Sequence, residues 1–135
     1  MAKKKPVITV ESYGKYTRWE RGSKVLPKIL DFTTIIEAIE GNEFGIIISI
    51  EKGKGIKLDF SIKHPPFKDS EGNMEPDYTG EYYVNSNRYR FYIGDSIWMP
   101  VEDKLGEWEI SVFTEGKKIV SKIFSVVLPP DSDKI

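Results

Sequence analysis

In GIKLDFSIKH, residues 55–64, apolar and polar side chains alternate without a break. Ile56, Leu58, Phe60 and Ile62 fall on one side of an extended chain. Lys57, Asp59, Ser61 and Lys63 fall on the other, the pattern of a strand with one face buried and one in water. Immediately upstream, FGIIISIE (residues 44–51) is apolar almost throughout and rich in β-branched side chains, as a central strand would be. The connection Lys52-Gly53-Lys54-Gly55 is a short glycine turn, which predicts that the two segments pair as an antiparallel hairpin.

The C-terminal third repeats the pattern. Trp108, Ile110 and Val112 alternate with Glu109 and Ser111, the turn Thr114-Glu115-Gly116-Lys117 follows, and Ile119 to Leu128 supplies a second strand with Phe124, Val126 and Leu128 on one face. Pro129 and Pro130 cannot continue a ladder, so pairing stops there. Between the two hairpins Tyr82–Val84, Tyr89–Ile93 and Ser96–Met99 read as strands, and Val7 to Thr17 reads as another, broken at Gly14. The spacing predicts an all-β fold: an immunoglobulin-like antiparallel β-sandwich of about seven to nine strands. Its core would hold Ile46, Ile48, Ile50, Leu58, Phe60, Ile62, Trp108, Ile110, Val112, Phe124 and Val126. One segment is open: Thr34-Ile35-Ile36-Glu37 has capping-box spacing with Gly41 behind it, yet is also a β-branched run.

At 135 residues the chain is read as one domain, 7–128, flanked by a flexible basic N-terminus, 1–6, and a C-terminal tail, 129–135. It has no cysteine, so disulfides, thiolate metal sites and cysteine nucleophiles drop out. The same lack, with no apolar run of ~18 residues and no leader-like start, points to a soluble cytoplasmic protein that does not enter a membrane. The net charge of −1, from 20 basic and 21 acidic residues, is spread along the chain. Only Lys3, Lys4 and Lys5 cluster, so a nucleic-acid partner is not expected.

The single histidine, His64, continues the parity of Ile62 and should face the apolar side at a strand end, hydrogen-bonded to a neighbouring loop, with Pro65 and Pro66 stiffening the exit. A catalytic histidine needs an orienting partner, and no serine stands in a nucleophile-elbow pattern. One histidine without cysteine is too few for a zinc site. Asp69-Ser70-Glu71-Gly72-Asn73 alternates oxygen ligands as calcium loops do. Its glycine comes too early, however, and its twelfth position is Gly80. No metal and no cofactor are expected. Glu107 and Glu109 flank Trp108 on the solvent side as solubilising charges. Tyr78, Tyr82, Tyr83, Tyr89, Tyr92 and Trp98 crowd the middle of the chain. Parity separates Tyr83 and Tyr92 from their neighbours, so sheet packing is the default reading of these rings and an outward aromatic strip at Tyr83 and Tyr92 is the alternative. The candidate binding surface is His64, Tyr83, Tyr92 and Trp98.

The residues Ile8 through Gly14, Thr34 with Gly41 and Phe44-Gly45, Ile62-Lys63-His64-Pro65-Pro66, Gly106 to Trp108 and Phe124-Ser125-Val126 resemble an uncharacterised bacterial domain-of-unknown-function family. Its members are small immunoglobulin-like proteins with an HPP phrase, a G-x-W and an F-x-V near the C-terminus. The resemblance implies the sandwich fold and brings no activity, cofactor or binding residue. The expected function is therefore a non-catalytic protein-interaction module, binding a protein partner or itself through a sheet edge. The alternative is a small-ligand domain, for carbohydrate among others, using exposed aromatics. An enzyme acting through His64 is the third and weakest reading.

Overall fold

The computed structural model describes residues 6–20 and 23–130. The basic cluster Lys3–Lys5 and the tail DSDKI lie outside the described residues. Nine strands form among those described: β1 (Val7–Tyr16), β2 (Ile29–Asp31), β3 (Ile35–Glu37), β4 (Glu43–Glu51), β5 (Lys57–Lys63), β6 (Tyr78–Tyr83), β7 (Arg88–Ser96), β8 (Gly106–Thr114) and β9 (Lys117–Val127). A 3₁₀ turn, Glu102–Lys104, precedes β8. The strands make two layers, a four-stranded sheet in the order β2-β1-β4-β7 and a five-stranded sheet in the order β3-β9-β8-β5-β6.

The predicted pairing of β4 with β5 is wrong. β4 lies between β1 and β7 in one sheet, and β5 between β6 and β8 in the other. The glycine turn is an arch between layers. Gly53 rests on Ile50, Lys52 takes a positive φ of 61°, and Gly55 donates its N–H to Val84 across in the other sheet. The apolar character of both faces of β4 carried the reason. Its inner residues Phe44, Ile46, Ile48 and Ile50 fill the core, and Ile47 lies under a second cover on the outer face.

The β8–β9 hairpin forms as predicted, turning at Glu115 and Gly116. The open segment resolves as extended: β3 buries Ile36 and runs parallel to β9, the one parallel pair in an otherwise antiparallel arrangement. β1 is not broken at Gly14. Its irregularities are a bulge at Glu11, between Val10 and Ser12, against β4 and a register shift at Lys15 and Tyr16 against β2. Ser96–Met99 is not a separate strand, because β7 runs on through Ser96 and then leaves the sheet. Of the expected core only Phe60 differs. It is half-buried, because its neighbour across the ladder, Gly80, leaves its ring open towards the side of the sandwich.

Residues 17–20 and 23–28 flank the outer face of the four-stranded sheet. There Trp19, Leu26 and Ile29 cover Tyr16, Ile47 and Tyr92, forming a small second core. This cover decides what the nearby tyrosines can do.

Candidate functional site

His64 is half-buried at the end of β5, stacked on Phe67 at a centroid distance of 4.3 Å and tilted against Tyr78 and Trp108. Its Nδ1 lies 2.7 Å from the carbonyl oxygen of Pro65, and its Nε2 lies 2.7 Å from that of Pro76. Both nitrogens thus face backbone carbonyl oxygens, and the N–H of either tautomer donates to one of them, holding the loop 65–77 against the strand that it leaves. Asp69 closes the tip of that loop, its carboxylate accepting from the N–H groups of Glu71 and Asn73. The run that resembled a calcium loop is an Asx-type turn. His64→Ala is expected to lower stability by about 1–3 kcal/mol, read by urea unfolding. An unchanged midpoint would show that the loop holds itself in place.

The four expected surface residues do not come together. Tyr83 is 65% exposed on the outer face of the five-stranded sheet, beside Lys57 and away from the others. Tyr92 does point out of its sheet as parity requires, but it is only 2% exposed. Trp19 packs on it edge-on at 5.2 Å and Tyr16 at 5.0 Å. The expectation of an open Tyr92 platform fails because Trp19 and Tyr16 pack over it. The phenol hydroxyl donates to the Glu43 carboxylate at 2.5 Å and lies 2.8 Å from the Phe44 carbonyl oxygen. Trp98 is half-buried and does face a cavity.

That cavity, about 310 Å³, opens where β7 ends one sheet and β6 ends the other. Six aromatic rings from four parts of the chain line it: Trp19, Phe60, Tyr78, Tyr82, Tyr92 and Trp98. Ile62 of β5 with Ile93, Gly94 and Asp95 of β7 complete the wall. Each ring arrives for a local reason. β6 alternates, sending Tyr78 and Tyr82 towards the interior and Thr79, Glu81 and Tyr83 to solvent. Gly80 between them leaves room for the ring of Phe60, which stacks on Tyr82 at 5.4 Å. Trp98 is held by Phe67 on one side and Trp108 on the other, at 5.5 and 6.3 Å. A second cavity of about 420 Å³ continues along β7, walled by Trp19, Leu26, Tyr82 and Tyr89. Trp19, Tyr82 and Tyr92 belong to both cavities, so the two form one furrow.

Among the described residues, Asp95 is the charged member of the first cavity's lining. Burial, assisted by the negative charges of Asp95 and Glu75, pushes the Tyr78 hydroxyl up to about 12. Burial does the same to Tyr16, also to about 12. Both phenols therefore keep their protons when folded and lose them near the ordinary value of 10.0 when unfolded. The stability this contributes is complete below about pH 10 and lost as pH rises towards 12. Absorbance titration at 295 nm is expected to show a late-titrating phenol fraction that shrinks in Tyr16→Phe and Tyr78→Phe. A single transition near 10 for all seven tyrosines would refute it.

Behind the rings Lys104 is almost fully buried. Its Nζ reaches the Pro100 carbonyl at 2.9 Å and the Asp103 carboxylate at 2.5 Å, and lies over the rings of Trp98 and Phe67. It acts as a strut for Trp98. Sequence reasoning missed Lys104, Trp19, Phe60 and Asp95. Alternation could have flagged Tyr78 and Tyr82 as a pair facing inward on an edge strand, but Trp19 lies in an irregular segment with no periodic signal.

No helix among the described residues is long and apolar enough to cross a membrane. A family model for a domain of unknown function, DUF3859, matches residues 4–126. No curated protein matches the chain. Among solved structures, an immunoglobulin-like protein from Pseudomonas aeruginosa is similar, with a TM-score of 0.76 and 18% identity over 94% of this chain and all of that one. At that identity the likeness concerns the fold, and it agrees with the immunoglobulin-like sandwich expected from the strand spacing and the HPP phrase.

Proposed function

We propose, for a chain that belongs to the DUF3859 family of unknown function, that it is a non-catalytic binding module whose contact surface is the aromatic furrow between β7 and β6. The observation that carries this reading is the convergence of six rings on one cavity at the open side of the sandwich. Aromatic side chains supply large contact area at little conformational cost, and they concentrate where proteins bind partners. The non-catalytic part rests on the chemistry in reach. The histidine has each ring nitrogen facing a backbone carbonyl at 2.7 Å, and the chain has no cysteine. A protein segment is the first ligand class. A carbohydrate is the second, favoured by the flat face of Trp98 in the cavity wall.

The test is a two-dimensional amide and indole NMR titration with pooled peptides and, separately, pooled oligosaccharides. Binding is expected to move the indole signals of Trp19 and Trp98, and Trp98→Ala is expected to weaken it at least tenfold, which corresponds to about 1.4 kcal/mol. Ligands that bind while leaving those signals in place would remove the furrow from consideration.

A further inference from the structure

We infer that the free edge of β6 is a second contact surface, one that takes an extended, positively charged segment of another protein as a sixth strand of its sheet. The main-chain groups and charges that carry it lie outside the furrow, so it holds with the furrow filled or empty. Four strands end a sheet in this fold: β2, β3, β6 and β7. β2 and β3 are three residues each, too short to template a partner. β3 is also closed by its surroundings: Thr33 Oγ1 accepts the Ile35 N–H at 3.0 Å, and the Asn42 side chain donates to the Glu37 carbonyl at 2.9 Å. β7 has Trp19 and Tyr16 packed on its central Tyr92. β6 has six residues, and its register with β5 runs from Lys57↔Tyr83 to Ile62↔Tyr78 without a shift. It has neither the proline nor the bulge that commonly blunts an edge.

The outward main-chain groups of β6 can be assigned from its end. Val84 N–H donates to the Ile56 carbonyl at 2.9 Å, and the Val84 carbonyl accepts from Gly55 N–H at 2.7 Å. Val84 is thus turned towards the β5 side. In an antiparallel pair hydrogen-bonded and non-hydrogen-bonded positions alternate, so Tyr82, Gly80 and Tyr78 bond to β5 as well. The N–H and C=O groups of Thr79, Glu81 and Tyr83 consequently point to the open side. Among the described residues no hydrogen bond reaches the main chain of these three, and all three are exposed. They span about 13 Å of strand, so a segment of five to seven residues covers them.

Charge selects the partner. Glu81 stands directly opposite Asp59 in the β5–β6 register, and like charges so placed repel. One ammonium serves both carboxylates: Lys57 Nζ lies 2.8 Å from Glu81 and 3.7 Å from Asp59. Asp77, also exposed, stands just before the strand. The edge therefore carries an excess of negative charge, which an arginine or lysine opposite Glu81 would offset. Tyr83, 65% exposed at the other end, offers its ring to the same cation or to an apolar neighbour. A second copy of this chain fits poorly. An antiparallel β6 pair centred on Glu81 sets that carboxylate against its own image, and the adjacent registers leave the two on a diagonal. In strand addition of this kind main-chain hydrogen bonds give affinity and side chains give selectivity.

The experiment uses the full chain and capped heptapeptides of Thr and Val with Arg or Lys at the centre, against the same peptides with Glu there. In the protein alone the Thr79, Glu81 and Tyr83 amides are expected to exchange faster than those of Gly80 and Tyr82. The Arg and Lys peptides should slow exchange at the first three by roughly tenfold or more. N-methylation of the peptide at alternate amides should abolish binding in one phase and spare it in the other. Glu81→Gln is expected to weaken the Arg peptide by about threefold, and Glu81→Lys to reverse the preference in favour of the Glu peptide. Glu81→Pro removes an outward N–H without touching the β5 ladder and should abolish binding of every peptide. Should Glu81→Pro fail to fold, exchange and N-methylation on the wild type decide the matter. No binding by the Arg and Lys peptides at millimolar concentration overturns the edge as a site, as does binding without protection of Thr79, Glu81 and Tyr83. Binding that instead moves only the Trp19 and Trp98 indole signals overturns the edge and leaves the furrow standing. Equal binding of the Glu peptide overturns the selection by charge. Protection of the three amides in the protein alone, rising with its concentration, overturns a foreign partner in favour of a second copy.

Discussion

Trp108→Ala is expected to lower the unfolding free energy by ~3–5 kcal/mol, the range for removing a large aromatic from a packed core. Trp108 has no exposed surface. Phe44 meets it edge-on at 5.4 Å from the opposite sheet, and Phe67, Trp98 and His64 surround the rest of the ring. Its indole N–H donates to the Lys104 carbonyl at 2.8 Å. Truncation thus opens a cavity between the layers and strips a buried carbonyl of its donor at once, two costs that act in the same direction. Against a total stability of order 5–15 kcal/mol, the loss is a large fraction. The effect should reach the furrow as well, because Trp98 leans on Trp108 and Lys104. Urea unfolding measures the first effect and near-ultraviolet circular dichroism the second. A loss below about 1 kcal/mol would mean that the layers are not joined through this residue.

Strand positions were legible where one face of a strand is wet. Alternation in β5, β8 and β9 identifies Leu58, Ile62, Trp108, Ile110, Val112, Phe124 and Val126 as core, and all are buried. Sheet membership was not legible, because alternation says which way a side chain points and nothing of which strand lies beside it. The KGKG turn suits a hairpin and an arch equally; the difference lies in distant partners, β1 and β7 for β4, β8 and β6 for β5. The site failed for a related reason. Parity placed Tyr92 correctly outside its sheet, yet outside was not exposed, since Trp19 and Leu26, from stretches without periodicity, pack over it. Trp98 was found from composition alone, and its neighbours in the furrow come from β5, β6 and β7, which only the layer arrangement unites.

Gly94→Ala is expected to cost about 3 kcal/mol, at the upper end for a forced insertion into a packed site. Gly94 faces Gly45 across the β4–β7 ladder, and the Tyr92 side chain lies along the sheet over this bare pair. A methyl group on Gly94 would overlap both the Tyr92 hydroxyl and the Phe44 carbonyl oxygen. Backbone cannot retreat, so the ring must, and the hydroxyl then leaves its acceptor Glu43 and the Phe44 carbonyl beside it. Lifting that ring also disturbs Trp19, which packs on it and forms the outer lip of the furrow. A double-mutant cycle separates the two clashes. In a Tyr92→Leu background the ring clash is absent and the carbonyl clash remains, so the penalty for alanine should fall by about 1–2 kcal/mol without vanishing. An equal penalty in both backgrounds would show that the glycine serves the neighbouring backbone only, and the argument that Tyr92 requires a side-chain-free floor would fail.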